Sequence, residues 1–266
     1  MSKPGASPAL AGKVVIVTGP ARRNIGFHAA AALHARGAKL AIMGRNAEAI
    51  TTAAEELGGD TLPLTVDLTD REAVSAAIAK TERHFGRIDG LVNNAGVSYA
   101  GRVEVLNPKQ IDHQVGLNFL AAVHACQAVI PCIRRQGGGR IVNVSSAIVH
   151  RPDAFSHLSI YRASKAALEH FTDALRDEVQ GDNIAVTCFI PGDTGTGFGR
   201  DWDEAARLEA YADWLERGTH FEGLMRAEIV GEQIARCFDL PLDHTIEFVL
   251  VRPVGRHRKY LEEEKG

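Results

Sequence analysis

The feature that most constrains this chain is a series of short apolar runs that carry no polar alternation. Lys13-Val14-Val15-Ile16-Val17-Thr18 is nearly all β-branched. A strand with one wet face reads apolar and polar in turn, so an unbroken run implies cover on both faces. Lys39 to Met43, Leu62 to Val66, Gly90 to Val92, Arg140 to Val144, Ile184 to Ile190 and Thr245 to Val251 repeat the signal. Between them lie stretches of helical character: Gly26 to Arg36, Ala47 to Leu57, Arg71 to Phe85, Pro108 to Arg135, Ile160 to Val179 and Ala227 to Phe238. Asp70 before Arg71, Asn107 before Pro108 and Gly37 after Arg36 are helix punctuation. Strand and helix alternating without long linkers imply parallel pairing, right-handed crossovers and helices on both faces. The expectation is an α/β fold: a doubly wound parallel sheet of about seven strands, in a single domain over 1–266 with a loose tail at 1–10 and a charged tail at 254–266.

At 266 residues the chain is long enough to bury a sizeable core. A formal charge of -3 offers no bulk attraction to nucleic acid. No apolar run reaches the length of a membrane span and the first residues lack a signal peptide's apolar core, so a cytoplasmic protein without membrane partners is expected. Cys126, Cys132, Cys188 and Cys237 form no CxxC pair and no zinc spacing, and read as small buried apolar residues. No His, Asp and Glu cluster has ligand spacing, so no metal is expected. Residues 194–225 break the rhythm with glycines, both tryptophans and mixed charge. They follow the sixth apolar run, and ligands in open α/β sheets bind beyond the carboxyl ends of strands. This segment is a candidate substrate lid; a surface excursion with a short amphipathic helix from Asp203 to Leu215 is the alternative.

Two local patterns carry chemistry. Thr18-Gly19-Pro20-Ala21-Arg22-Arg23-Asn24-Ile25-Gly26 joins the first strand to the first helix. Backbone N–H groups at such a helix start, aided by its dipole, suit a pyrophosphate. In Tyr161-Arg162-Ala163-Ser164-Lys165, the four-residue spacing puts Tyr161 and Lys165 on one helix face. A phenol with a pKa of about 10 is a poor proton shuttle at neutral pH, and a nearby ammonium is expected to lower it.

Together with Asn93-Asn94-Ala95-Gly96 and the paired serines that end Arg140 to Ser146, these segments resemble the short-chain dehydrogenase/reductase family, from about Ala11 to about Pro253. The resemblance implies a Rossmann sheet. Its glycine turn reads Thr-Gly-x-x-x-Gly-x-Gly; here the turn is one residue longer, and Arg23 or Asn24 stands at the middle glycine. Asn tolerates left-handed backbone, so Asn24 is expected to preserve the bend. Asp67-Leu68 is similar to the pair that holds adenine, and Asn94, Ala95 and Gly96 let the backbone approach the cofactor. Gly44 stands where NAD-preferring relatives carry an acid, and Arg45 follows it. With Arg22 and Arg23 it would bind a 2′-phosphate, so NADP(H) is expected, with NAD(H) second.

The same resemblance implies Ser146 as the catalytic serine. Because the stretch to Tyr161 is about two residues longer than usual, Ser145 is the alternative. Asn118 matches the helix asparagine that holds a water linking Lys165 to solvent. Pro191-Gly192-Asp193-Thr194-Gly195-Thr196 is similar to the loop that receives the nicotinamide carboxamide through Pro191, Gly192, Thr194 and Thr196, with Thr194 in place of Val. Tyr161 and Lys165 also belong to the cofactor set. The implied reaction is hydride transfer between nicotinamide and a small carbonyl or alcohol. Ser146 and Tyr161 bond the oxygen, Tyr161 supplies the proton, and Lys165 with the Asn118 water restores it. Binding NADP(H) without turnover, as a sensor or scaffold, is the alternative. His150, His157 and Arg151 lie where relatives shape the substrate pocket, and would suit an anionic or hydrogen-bonding substrate. The alanine-rich faces of Phe119 to Val129 and Ala163 to Ala174 suit a homodimer or homotetramer, or only pack on the sheet.

Overall fold

A computed structural model describes residues 9–20, 23–151, 155–221, 223–254 and 258–259. The apolar runs become β1 (Val14–Thr18), β2 (Lys39–Gly44), β3 (Thr61–Thr65), β4 (Gly90–Asn93), β5 (Gly139–Val144) and β6 (Ile184–Pro191). A two-residue β7 (His220–Phe221), β8 (Phe248–Val251) and a two-residue β9 (Arg258–Lys259) follow. One seven-stranded sheet runs in the order β3-β2-β1-β4-β5-β6-β8, every neighbour parallel. β7 and β9 pair antiparallel as a separate two-stranded sheet.

The lack of alternation has its expected cause. Val15, Val17, Leu40 and Ile42 pack into one core with α1 (Ile25–Ala35), α2 (Ala47–Leu57) and α8 (Ala227–Arg236). Ile16, Ala41 and Met43 pack into the other with α3 (Arg71–Phe85), α5 (Ala121–Arg135) and α6 (Ser159–Val179). Successive residues of a strand therefore face different helix layers. The order reverses between β1 and β4, so the chain leaving β1 and the chain leaving β4 diverge and open a crevice at the carboxyl edge.

Three expectations change. The helical run Pro108 to Arg135 is α4 (Pro108–Val115), a π turn at Gly116–Leu120, and α5. This run is long and apolar enough to cross a membrane by length and composition alone, contrary to the expectation that none reaches that length. Its face of Ala121, Ala125, Cys126, Val129 and Ile133 is instead buried in the core beside α3. The last strand is shorter than Thr245 to Val251. Ile246 and Glu247 only accept bonds, from Thr187 Oγ1 at 2.6 Å and Cys188 N at 2.8 Å, before the ladder starts at Phe248. Residues 194–225 contain α7 (Glu204–Arg217), with Asp203 as its N-cap, a helix that runs two residues past the expected end at Leu215. The ends of the segment are pinned together: Gly195 N donates to Met225 O and Met225 N to Asp193 O, both at 2.9 Å.

Candidate active site

The site is built on the two diverging loops. The buried Thr18 hydroxyl accepts from Asn94 N at 3.0 Å and Ala95 N at 3.2 Å, tying the end of β1 to the loop after β4. Gly19 has φ +69°, and a Cβ there would lie 2.9 Å from Ala95 Cα. Backbone on both counts leaves room only for glycine. Gly26, in the first turn of α1, is pressed against Asn94 in the same way, and Asn94 Nδ2 donates to Thr18 O at 3.0 Å.

The bend is not made by Asn24. Its backbone is extended, with φ -78°, and its side chain caps α1, accepting from Phe27 N at 3.0 Å. Its Nδ2 donates across the turn to Gly19 O at 2.8 Å. Capping requires an extended residue, so the left-handed step falls to the neighbour, Arg23, at φ +55°. Arg23 is exposed, and its guanidinium lies 3.5 Å from Glu56. Arg22 lies outside the described residues.

A cavity of about 460 Å³ runs along the carboxyl edge of the sheet. At one end it is lined by Gly19, Asn24, Ile25, Gly44 and Arg45, then by Asp67 and Leu68. Two bonds from Thr69, at 2.7 and 3.0 Å, hold the Asp67 carboxyl below its ordinary range, and the nearby Arg45 adds to this. His113, which the sequence reading missed, lines the cavity there. Its Nδ1 meets the Tyr99 hydroxyl at 2.8 Å, and burial, then Arg45, keeps its pKa below the usual value.

Asn94, Ala95 and Gly96 line the middle. A Cβ on Gly96 would stand 3.2 Å from Asn118 Oδ1 and 3.4 Å from Lys165 Nζ, so the glycine admits both groups. The π turn buries Asn118 behind the cavity wall. Its Oδ1 accepts from Val97 N at 2.7 Å, and its Nδ2 donates to Val97 O at 2.8 Å and Ser164 Oγ at 3.0 Å. The side-chain amide thus clamps the loop after β4, and a π turn at such a place is a frequent companion of function.

Ser146, Tyr161 and Lys165 line the other half, with Pro191, Gly192, Thr194 and Thr196 opposite. The expectation that Lys165 lowers the Tyr161 pKa is corrected. Burial pushes the phenol up to about 12 against the pull of a hydrogen bond with Ser146, and the charge of Asp193 adds to the rise. Lys165 Nζ instead donates to Val144 O at 2.8 Å. The ammonium is only 3 % exposed, and this desolvation brings it down to about 8. Ser145 also lines the cavity, but its Oγ is engaged elsewhere, donating to Glu169 Oε1 at 2.5 Å, while Glu169 Oε2 meets His150 Nε2 at 2.8 Å.

Of the three residues singled out for a substrate pocket, only Arg151 lines the cavity. His150 belongs to Glu169. His157 is buried, with Nδ1 3.0 Å from Ser156 Oγ. The sequence reading missed the aromatic residues that line the cavity with Tyr161: Phe155, Phe198, Trp202, Tyr211 and Trp214. The concentration of both tryptophans within 194–225 was the one signal of them.

A family model described as short chain dehydrogenase matches residues 13–207. The chain is 35% identical over 188 residues to dehydrogenase/reductase SDR family member 7B of Bos taurus, a match covering 67% of this chain and 57% of that protein. The solved alcohol dehydrogenase of Thermococcus sibiricus, complexed with 5-hydroxy-NADP, superposes with a TM-score of 0.78 at 24% identity, over 93% of this chain and 99% of that one. The 3-ketoacyl-(acyl-carrier-protein) reductase of Brucella melitensis, complexed with NADH, gives 0.79 at 25% identity, over 92% and 98%. The chain belongs to the short-chain dehydrogenase family.

Proposed function

We propose that this chain is an NADP(H)-dependent oxidoreductase acting on a small carbonyl or alcohol, with Tyr161 as its acid or base. The observation that carries the reading is one cavity lined both by the glycine turn and by Ser146, Tyr161 and Lys165. The residues present fit a dinucleotide. Gly19 and Gly96 sit where a Cβ would meet Ala95 or crowd Lys165 and Asn118, so backbone floors the groove. The N-terminus of α1 would face the pyrophosphate, Asp67 and Leu68 the adenine, and Pro191, Gly192, Thr194 and Thr196 the nicotinamide amide. Arg45 favours a 2′-phosphate over a bare ribose, and the similar Thermococcus enzyme holds an NADP derivative.

When bound, the nicotinamide supplies or accepts the hydride. Ser146 and Tyr161 then donate hydrogen bonds to the carbonyl oxygen as it gains charge. With its pKa pushed up to about 12, Tyr161 stays protonated through neutral pH and can deliver that proton. Lys165, held near 8 by burial, can give up a proton without a large uphill step. Asn118 positions Val97 and Ser164 around it.

The test is a fluorescence titration with NADPH and NADH, followed by a screen of ketones and aldehydes. NADPH is expected to bind more tightly. Tyr161→Phe should keep the NADPH Kd and lose turnover by about 100-fold or more. Near-normal turnover in that variant would remove Tyr161 from the role, and NADPH binding with no reduction of any carbonyl would favour a sensor or scaffold.

A further inference from the structure

We propose that the substrate end of the cavity takes an uncharged ketone or aldehyde with a flat aromatic or fused-ring body, in preference to a straight-chain carbonyl or a keto acid. The proposal rests on the reductase reading above and names its substrate class.

The wall begins on the ring of Tyr161 itself. Phe198 lies 5.1 Å from that ring by centroid, Trp202 6.0 Å from Phe198, Trp214 6.3 Å from Trp202, and Phe155 4.8 Å from Trp214. A carbonyl held by Ser146 and Tyr161 therefore has its body against continuous ring surface. The polar handles of both indoles are already engaged. Trp202 Nε1 donates to Ser98 O and Oγ at 3.1 and 3.0 Å, and Trp214 Nε1 to Ser156 O at 2.9 Å. What they offer a ligand is apolar face and edge, which rings fill by offset or edge-on stacking. Leu224 and Phe198, also cavity-lining, are large apolar side chains left 64% and 50% exposed, and extend the apolar surface outward.

Charge points the same way. Arg151 lines this end but is 4% exposed, with its guanidinium 3.3 Å from Asp193 Oδ2 and 5.1 Å over the Phe155 ring. It is committed to a carboxylate within the protein, and Asp193, which also lines the cavity, repels a second one. An anionic substrate, which Arg151 alone would have suggested, meets a cation already in use.

The experiment compares tetralone, methyl octyl ketone and benzoylformate as substrates with NADPH. It also follows tryptophan fluorescence on adding tetralone to the wild type and to Tyr161→Phe. The expected kcat/KM for tetralone is about tenfold above that for either other compound, from ring contacts alone. Trp202→Leu and Phe155→Leu should each raise the KM for tetralone several-fold more than that for methyl octyl ketone, which loses only part of its apolar contact, while the NADPH Kd stays unchanged and reports intact folding. Equal or better use of methyl octyl ketone or benzoylformate would overturn the proposal, as would unchanged tetralone kinetics in both variants. Saturable quenching by tetralone with no carbonyl reduced would uphold the pocket and overturn the reductase reading. Turnover of methyl octyl ketone without preference for tetralone would do the reverse.

Discussion

Gly44 ends β2 without a side chain, next to Arg45, at the cavity end that would take the adenosine. A Cβ there would lie 2.8 Å from Ile50 Cδ1 and 3.1 Å from its Cγ1, so an acid requires the buried Ile50 side chain to shift, and a small one asks least. Gly44→Asp would set a carboxylate where a 2′-phosphate is proposed to sit. The NADPH Kd is expected to rise about tenfold, near 1.4 kcal/mol, while NADH is held or gains. Titration of both cofactors checks this, and an unchanged NADPH Kd would move the phosphate site away from Arg45. At this scale the sequence was legible where one residue type answers one steric demand, as at Gly19 and Gly96. It was less so at Asn24, whose conformation depends on the helix it caps.

At Gly231, α1 and α8 pack backbone to backbone. A Cβ on Gly231 would lie 2.5 Å from Ala29 N and from the carbonyl carbon of His28. Backbone cannot swing aside as a side-chain tip can, so Gly231→Ala must part the helices. Overpacking of this kind costs about 1–3 kcal/mol. A lower urea midpoint is expected, together with weaker NADPH binding, because α1 begins at the glycine turn. A variant as stable as the wild type would show that the helices yield freely. In the sequence Gly231 reads only as a weak point in a helix, since nothing local reveals that another backbone crosses it. The first six strands and α2 and α3 were legible almost to the residue, because burial on two faces and good caps write themselves into a local pattern. The π turn left no such trace, and its effect is to bury Asn118.

Across the molecule, burial of thiols sets the response to alkali. Cys126 and Cys188 are pushed up to about 12 and Cys237 to about 11 by desolvation, from an ordinary value of 9.0. Above that value the unfolded chain loses protons that the folded chain keeps, so stability falls as pH rises. Lys165 acts oppositely. Its folded value of about 8 lies below the ordinary 10.5, so between the two the unfolded chain binds the extra proton and stability rises with pH. Three thiols outweigh one ammonium once pH passes about 9. The urea midpoint, under reducing conditions, is expected to be lower at about pH 10 than at about pH 8. Cys188→Ala should flatten that fall, and an equal or higher midpoint at the alkaline pH would contradict it.

The doubly wound sheet, the crevice at its carboxyl edge, the glycine turn and the placing of Tyr161 and Lys165 on one helix face were all legible in the sequence. Each is encoded by a run or a spacing within a few residues, where backbone geometry leaves few choices. What no local pattern carries is that Lys165 turns to Val144, that burial raises the Tyr161 phenol, and that Arg151 is held by Asp193. Packing also brings Phe198, Trp202, Trp214 and Phe155 together ring by ring from Tyr161 along the cavity. Desolvation and cavity shape are made by residues far apart in the chain that packing brings together, so neither is written in a local pattern.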